Sequence, residues 1–444
     1  LLYEEELERG AQATLDEYLA AIEADPAAHK LYGKAALAAL NRRDTEQALS
    51  ILERSCRENP ENVQAWIDLA ITRQITGHLE ESVAAYRRAI ELDPERAFLY
   101  LALARLHFHR EEDAKALAAL EEGIAQAGTP DQIVMFAYRQ GRSFLDDEKL
   151  RRALPCFELV ATRAEGSQQE LYRLMGELYL RVEDPEGAAR AFARAIDEDP
   201  SVVDAYIRLS MVQLRDDPAA AVDTLESATN MVDETAALLF PLAYAYTIDR
   251  RYAEAIPLFE QVEEAVQGTN VVQLTPNFYL QFGAASERVG NYAKAEELFE
   301  QALELDPDDA EVLNYLAYMW AEQDMKLDRA HRYIKRALEL YPENGAYIDT
   351  LGWVLYRKER YGEALHQLFR AADRMPMDAT IQEHIGDALH ALGRTEEALA
   401  YWKESFLVEP ANRALVGKLE ANGVDIEALR RERARRLERI KAAE

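Results

Sequence analysis

The chain has 444 residues, a formal net charge of −30, 49% hydrophobic residues and two cysteines. That charge excludes a nucleic-acid binder, which needs a basic footprint to displace counterions from phosphate, and weighs almost as heavily against an anionic membrane surface. Length alone suggests about three domains, and no apolar run reaches the roughly 20 residues that a membrane-spanning helix needs.

Taken in order, the chain reads as helix pairs from end to end. Residues 1–28 supply the tail of an incomplete first unit, with Thr14, Tyr18 and Ala21 in register and Pro26 closing it. Units over 29–62, 63–96 and 97–133 follow, punctuated by Pro60, Pro94 and the longer junction Gly128-Thr129-Pro130. The next are 134–168, 169–202 and 203–235, then 236–275, which carries the one insertion. Units over 276–309, 310–344, 345–378 and 379–410 complete the series. Pro155 and Pro257 sit just inside second helices, where a missing amide costs little. Pro241 falls within a first helix and is expected to bend it, changing the pitch locally over 241–257. In the insertion, Glu263 to Pro276, the first part is expected to extend the preceding helix as far as Gly268-Thr269-Asn270. Val271, Val272 and Leu274 then need cover, from the body of the protein or from a partner.

Residues 411–444 form two closing helices, one to Glu420 and one from Asp425. The last is rich in arginine and has only a thin apolar stripe of Ile426, Leu429, Leu437 and Ile440. Its expected task is to cap the exposed end of the array. The alternative is a docking arm built on Arg430, Arg431, Arg435 and Arg436, or pairing with the acidic body of a second molecule.

The period is close to fixed. Small residues open the second helices at 48, 82, 116, 153, 188, 221, 255, 295, 330, 364 and 398, with gaps of 34, 34, 37, 35, 33, 34, 40, 35, 34 and 34. A second small series runs Ala36, Ala70, Ala104, Gly141, Gly176, Ser210, Ala243, Gly283, Ala317, Gly352 and Gly386. A large apolar knob recurs at Leu52, Tyr86, Leu120, Phe157, Phe192, Leu225, Phe259, Phe299, Ile334, Leu368 and Trp402. Small residues let helix backbones approach, and the knob fills the space between them.

These registers resemble the tetratricopeptide repeat from Thr14 to Pro410. The resemblance implies an all-α solenoid, a right-handed superhelix of about eleven helix-turn-helix repeats whose first helices line a concave groove. Departures are local: Gln140 replaces an apolar residue, the sixth repeat is one residue short before Ala221, and the ninth is one long before Ala330. The segment from Leu313 to Tyr356, with LNYLAY, LDRA and YIDTLGWVLY, is similar to bacterial envelope proteins of this family. That group includes outer-membrane lipoproteins that recruit a periplasmic carboxy-terminal-processing protease. The similarity implies a periplasmic protein anchored upstream of Leu1, with the cytoplasm as the alternative.

No catalytic constellation emerges. There is no glycine-rich phosphate loop, and His107 and His109 point to different sides of one helix, so no metal pair or cofactor is expected. His107 reads as a satisfied core histidine. Cys56 and Cys156 lie about three repeats apart and read as small core residues.

Function therefore belongs to the first-helix faces. Register places Phe98, Leu101, Arg105, Tyr138, Arg142, Arg173, Arg181, Phe240, Tyr244, Asn314, Tyr318, Trp353, Tyr356 and Arg357 there. Aromatic area combined with guanidinium forks suits an extended peptide or a partner helix. The expected function is a non-enzymatic protein-interaction scaffold or adaptor, whose partner is a protein or peptide, an envelope protease or assembly enzyme among them. The acidity of the body either keeps a long array soluble or selects a basic partner segment. Two other readings stay open: a regulatory or substrate-binding region of a larger enzyme, and an assembly factor that self-associates through its ends.

Overall fold

In the computed structural model, residues 14–163, 166–231, 236–267 and 274–441 are described, and all regular structure among them is helical. The chain divides into two compact units, Leu1–Val212 and Gln213–Glu444. The first contains α1 (residues 14–24), α2 (His29–Asn41), α3 (Thr45–Glu58), α4 (Val63–Ile75), α5 (Leu79–Leu92) and α6 (Ala97–His109). It continues through α7 (Asp113–Gln126), α8 (Pro130–Asp146), α9 (Leu150–Ala161), α10 (Gln169–Arg181), α11 (Pro185–Glu198) and nearly all of α12 (Val203–Gln213).

The second contains α13 (Pro218–Thr229), α14 (Ala236–Ile248), α15 (Tyr252–Gln267), α16 (Pro276–Arg288), α17 (Tyr292–Leu305) and α18 (Ala310–Glu322). It ends with α19 (Leu327–Leu340), α20 (Gly345–Arg357), α21 (Tyr361–Arg374), α22 (Ala379–Ala391), α23 (Thr395–Val408), α24 (Arg413–Ala421) and α25 (Ile426–Lys441). Within each unit, a helix packs on its own hairpin partner, and first helices also touch first helices, as α6 touches α8 and α18 touches α20.

Local chemistry sets the boundaries. Asp or Asn side chains cap many helix starts: Asp44 accepts from the Gln47 amide, Asp184 from Gly187, Asn344 from Ala346 and Tyr347, and Asp378 from Ile381. Each such cap contributes about 1 kcal/mol. Inside most hairpins the chain turns through one left-handed residue, at Arg43, Gly77, Glu111, Glu148, Glu183, Arg250, Gly290, Asp324, Glu359 and Gly393. The next amide then reaches back to a carbonyl five residues earlier, as Asp44 does to Ala39 and Arg360 to Leu355. The sixth hairpin is a residue short and makes its turn without a left-handed residue, Asp217 bonding Gln213 instead. The extra residue of the ninth is absorbed by a second left-handed residue, Lys326.

All eleven knobs are buried, and so are all the small residues that open the second helices. In α1 the buried residues are Leu15 and Ile22, whereas Ala21 is exposed and Thr14 and Tyr18 are half-buried. Helix α14 runs unbroken through Pro241 and α15 through Pro257. The insertion extends α15 to Gln267 and ends with Leu274 packed among Phe259, Phe278 and Phe282, while Val271 and Val272 lie outside the described residues. A further device escaped the sequence reading. The residue six after an inter-repeat proline often donates to that proline's carbonyl: Trp66 to Pro60 and Tyr100 to Pro94 at 2.9 Å, Tyr206 to Pro200 at 3.2 Å.

Candidate functional site

The predicted face is open in the first unit and largely closed in the second. On α6, Phe98 is 47% exposed, Leu101 is half-buried, and the exposed Arg105 guanidinium stands 5.6 Å from the Phe136 ring of α8. On α8, Tyr138 is 38% exposed and leans toward Phe157, and Arg142 points to solvent. Met135, one turn before Tyr138, is also exposed and extends the apolar strip. Its register matches that of Phe98, a signal the sequence reading passed over.

Between α8 and α10 lies a cleft of about 650 Å³ whose walls include Tyr138, Arg142, Gln169, Arg173, Leu174 and Asp199. Arg173 is tied to Asp204 at 2.9 Å, whereas Arg105, Arg139, Arg142 and Arg181 have no carboxylate within ion-pair distance among the described residues. These four guanidinium groups on α6, α8 and α10 are thus available to an incoming carboxylate.

In the second unit the predicted residues are drawn inward. Phe240 is not a free surface ring. It lies 5.8 Å from Phe278 and 6.2 Å from Phe259, and Tyr244 stacks on it at 6.4 Å. Asn314 is half-buried, with its Oδ1 buried and without a hydrogen-bond partner among the described residues, and burial pushes the Tyr318 hydroxyl pKa up.

Trp353 is a correction: it is only 8% exposed, with its ring parallel to both Tyr356 (4.7 Å) and His384 (4.1 Å) and its Nε1 donating to Glu322 at 2.6 Å. Arg357 is half-buried and sits 3.5 Å from Asp324. Helix α20 lies close to α18, and the Trp353 side chain reaches Glu322 on α18 and His384 on α22, so side chains one repeat apart meet.

A polar network fills the space behind this stack. His384 Nδ1 lies 2.9 Å from Asp349, and Lys418 Nζ on α24 donates to Asp387 and Glu383 at 2.7 Å. Trp402 Nε1 donates to the same Asp387 at 3.0 Å, and Asn412 Nδ2 to Glu383 at 2.6 Å. Burial alone would lower the His384 pKa, but the Asp349 charge and hydrogen bond, with Asp387 and Glu322 nearby, hold it above its usual value. Burial raises the Asp387 pKa against the opposing charge of Lys418.

Of the proposed docking arm, α25 buries Ile426 and Leu429 in the last core cluster. Arg436 forks onto Glu404 of α23 at 2.9 and 3.0 Å, and Arg433 donates to the Leu407 carbonyl. Arg430 pairs with Glu427 and Arg431 lies 3.7 Å from Asp425, which leaves Arg435 without a carboxylate partner among the described residues. The helix is therefore moored to its own body along one side.

His107 is buried and bonds Glu112 at 2.7 Å. Cys56 and Cys156 are free and buried, and burial pushes both thiols up to about 12. Among the described residues no group of three or more His, Cys, Asp or Glu is placed to hold a metal ion, and no helix is long and apolar enough to cross a membrane.

Two family models described as tetratricopeptide repeat match, one over residues 131–326 and the other over 75–131, 325–375 and 350–405. The chain belongs to the tetratricopeptide repeat family. The TPR repeat-containing protein YpiA of Bacillus subtilis is 21% identical over 413 residues, covering 84% of this chain and 93% of that protein. The TPR repeat-containing protein PA4667 of Pseudomonas aeruginosa is 28% identical over 32% of this chain. The human mitochondrial import receptor subunit TOM70 is 23% identical over 51% of it. The match covers only 25% of the Pseudomonas protein and 38% of the human one. Among solved structures, a chain of the APC/C hetero-tetramer Cut9-Hcn1 aligns with 87% of this chain at 14% identity and a TM-score of 0.41.

Proposed function

We propose that this tetratricopeptide protein is an interaction scaffold that holds a segment of a partner protein against the first-helix face of α6, α8 and α10. One observation carries the reading: exposed Phe98, Met135 and Tyr138 share the first-helix faces of α6 and α8 with Arg105 and Arg142, which have no carboxylate partner among the described residues, and Tyr138 and Arg142 line a cleft. Rings supply contact area at low entropic cost, and guanidinium forks donate to carboxylates in a bidentate manner. The face therefore suits a segment of mixed apolar and acidic character, not the basic segment that net charge alone would favour. Relatives named as an import receptor subunit and as peroxisomal targeting signal receptors support a role in receiving other proteins. The finer proposal is a periplasmic adaptor for an envelope protease, supported by the segment from Leu313 to Tyr356.

The test is photocrosslinking in cells from residues 98 and 138, with residue 115 on the second-helix side of α7 as control. A single protein adduct from 98 and 138 but not from 115 supports the scaffold, and a processing protease in that band supports the adaptor. Equal adducts from all three positions would remove the assignment of this face.

A further inference from the structure

The first-helix register that carries Ile67, Leu101, Tyr138, Arg173 and Ile207 in successive repeats carries Gly33 in α2. Gly33 lies in the wall of a socket of about 540 Å³, within the range of ligand sites. Leu52, the knob of the same repeat, Ala65 of α4 and the 59% exposed Leu37 give it mostly apolar walls. Lys30 and Lys34, one helical turn apart on its rim, are exposed and have no carboxylate within ion-pair distance among the described residues. Asp68, on the opposite rim, is occupied by the Gln64 side-chain amide at 2.8 Å, and burial raises its pKa.

We propose that this socket is a second docking site, which takes one leucine- or phenylalanine-sized side chain of a partner segment with carboxylates on either side of it. The apolar walls require the side chain, because exposed apolar surface gains by being covered. The two unpaired lysines select the flanking charges, because a complementary carboxylate meets no competitor on this rim. The inference borrows from the scaffold reading only the idea that the ligand is a protein segment. The socket and the cleft between α8 and α10 are tested by different variants.

The register itself provides the sharpest test. Gly33→Leu gives α2 the side chain that α6 carries at Leu101. A Cβ at Gly33 meets only the Asp68 carboxylate, at 2.9 Å, the mobile end of a side chain that can swing away. Fluorescence polarisation would follow a labelled peptide of sequence Gly-Asp-Glu-Leu-Asp-Glu-Gly and its alanine counterpart on the intact chain. The leucine peptide is expected to bind at least about tenfold more tightly than the alanine one, the discrimination an apolar pocket gives for a few methylenes. Gly33→Leu is expected to abolish that preference without lowering the thermal midpoint, and Lys30→Glu with Lys34→Glu to weaken both peptides in a salt-dependent way. Equal binding of the two peptides, or retention of the preference in a folded Gly33→Leu protein, would overturn the proposal. Self-association relieved by Gly33→Leu would assign the socket to a second copy and overturn it as well.

Discussion

The indole of Trp353 and the imidazole of His384 lie face to face at 4.1 Å and 11°, joining α20 to α22 with Asp349 as the histidine's counter-ion. A protonated imidazole against the indole face combines stacking with a cation–π attraction, worth most where water is excluded. Because the folded-state pKa is raised above 6.5, the pair's contribution is fully present below the unfolded value and is lost as pH rises through the folded one. His384→Asn should therefore cost most stability in mild acid and progressively less toward alkaline pH. Thermal midpoints of both proteins across that range check this, and a constant difference between them would sink the protonated-pair account.

Trp353→Ala with Tyr356→Ala separates the two views of this face. A freely exposed pair would leave melting unchanged, but the structure predicts a large loss, since removing a buried tryptophan alone costs about 3–5 kcal/mol and leaves Glu322 without its donor. Hydrogen exchange should rise in α20 and α22 first. Unaltered exchange there would restore the exposed reading.

Arg105→Glu with Arg142→Glu should act in the opposite way. Neither guanidinium has a carboxylate partner among the described residues, so melting should hold within about 0.5 kcal/mol. Affinity for the segment captured by photocrosslinking should fall, and its salt dependence should flatten. Intact affinity would move the site elsewhere.

Gly352→Leu tests the repeat register. A Cβ there lies 2.7 Å from Leu368, and the branched remainder has no room. Overpacking of this kind costs about 1–3 kcal/mol, read as a drop in the midpoint of denaturant unfolding. A wild-type midpoint would show that the hairpin yields more easily than its contacts imply.

How much of this was legible in the residues divides by physical cause. The knobs and small residues are periodic, and periodicity is what a sequence displays, so Phe157, Phe192 and Trp402 could be assigned to the core from spacing alone. Even the two irregular hairpins were visible as one residue missing before Ala221 and one added before Ala330. The face of the second unit was not legible. Register identifies the side of α20 that carries Trp353, but not that His384 of α22 and Glu322 of α18 meet it, and those contacts decide whether an indole is a contact surface or a core residue. Nothing in the spacing singles out His384, because its partner Asp349 belongs to a different repeat. The arginines of α25 looked free for a related reason, since Glu404 is reached only after α25 folds back along α23.

The glycines beneath the knobs constrain the paths by which such a sequence can drift. An added Cβ at Gly141, Gly176, Gly283 or Gly386 would overlap the ring of Phe157, Phe192, Phe299 or Trp402, respectively. Ala104 beneath Leu120 and Ala36 beneath Leu52 are tolerated combinations in the same fold. Yet Ala70 accompanies the ring of Tyr86 and Ala243 that of Phe259 in the same registers, all four buried. A glycine can therefore grow by either of two routes, after its ring shrinks or after the ring takes a different seat, and a Cβ added before either change overcrowds the hairpin.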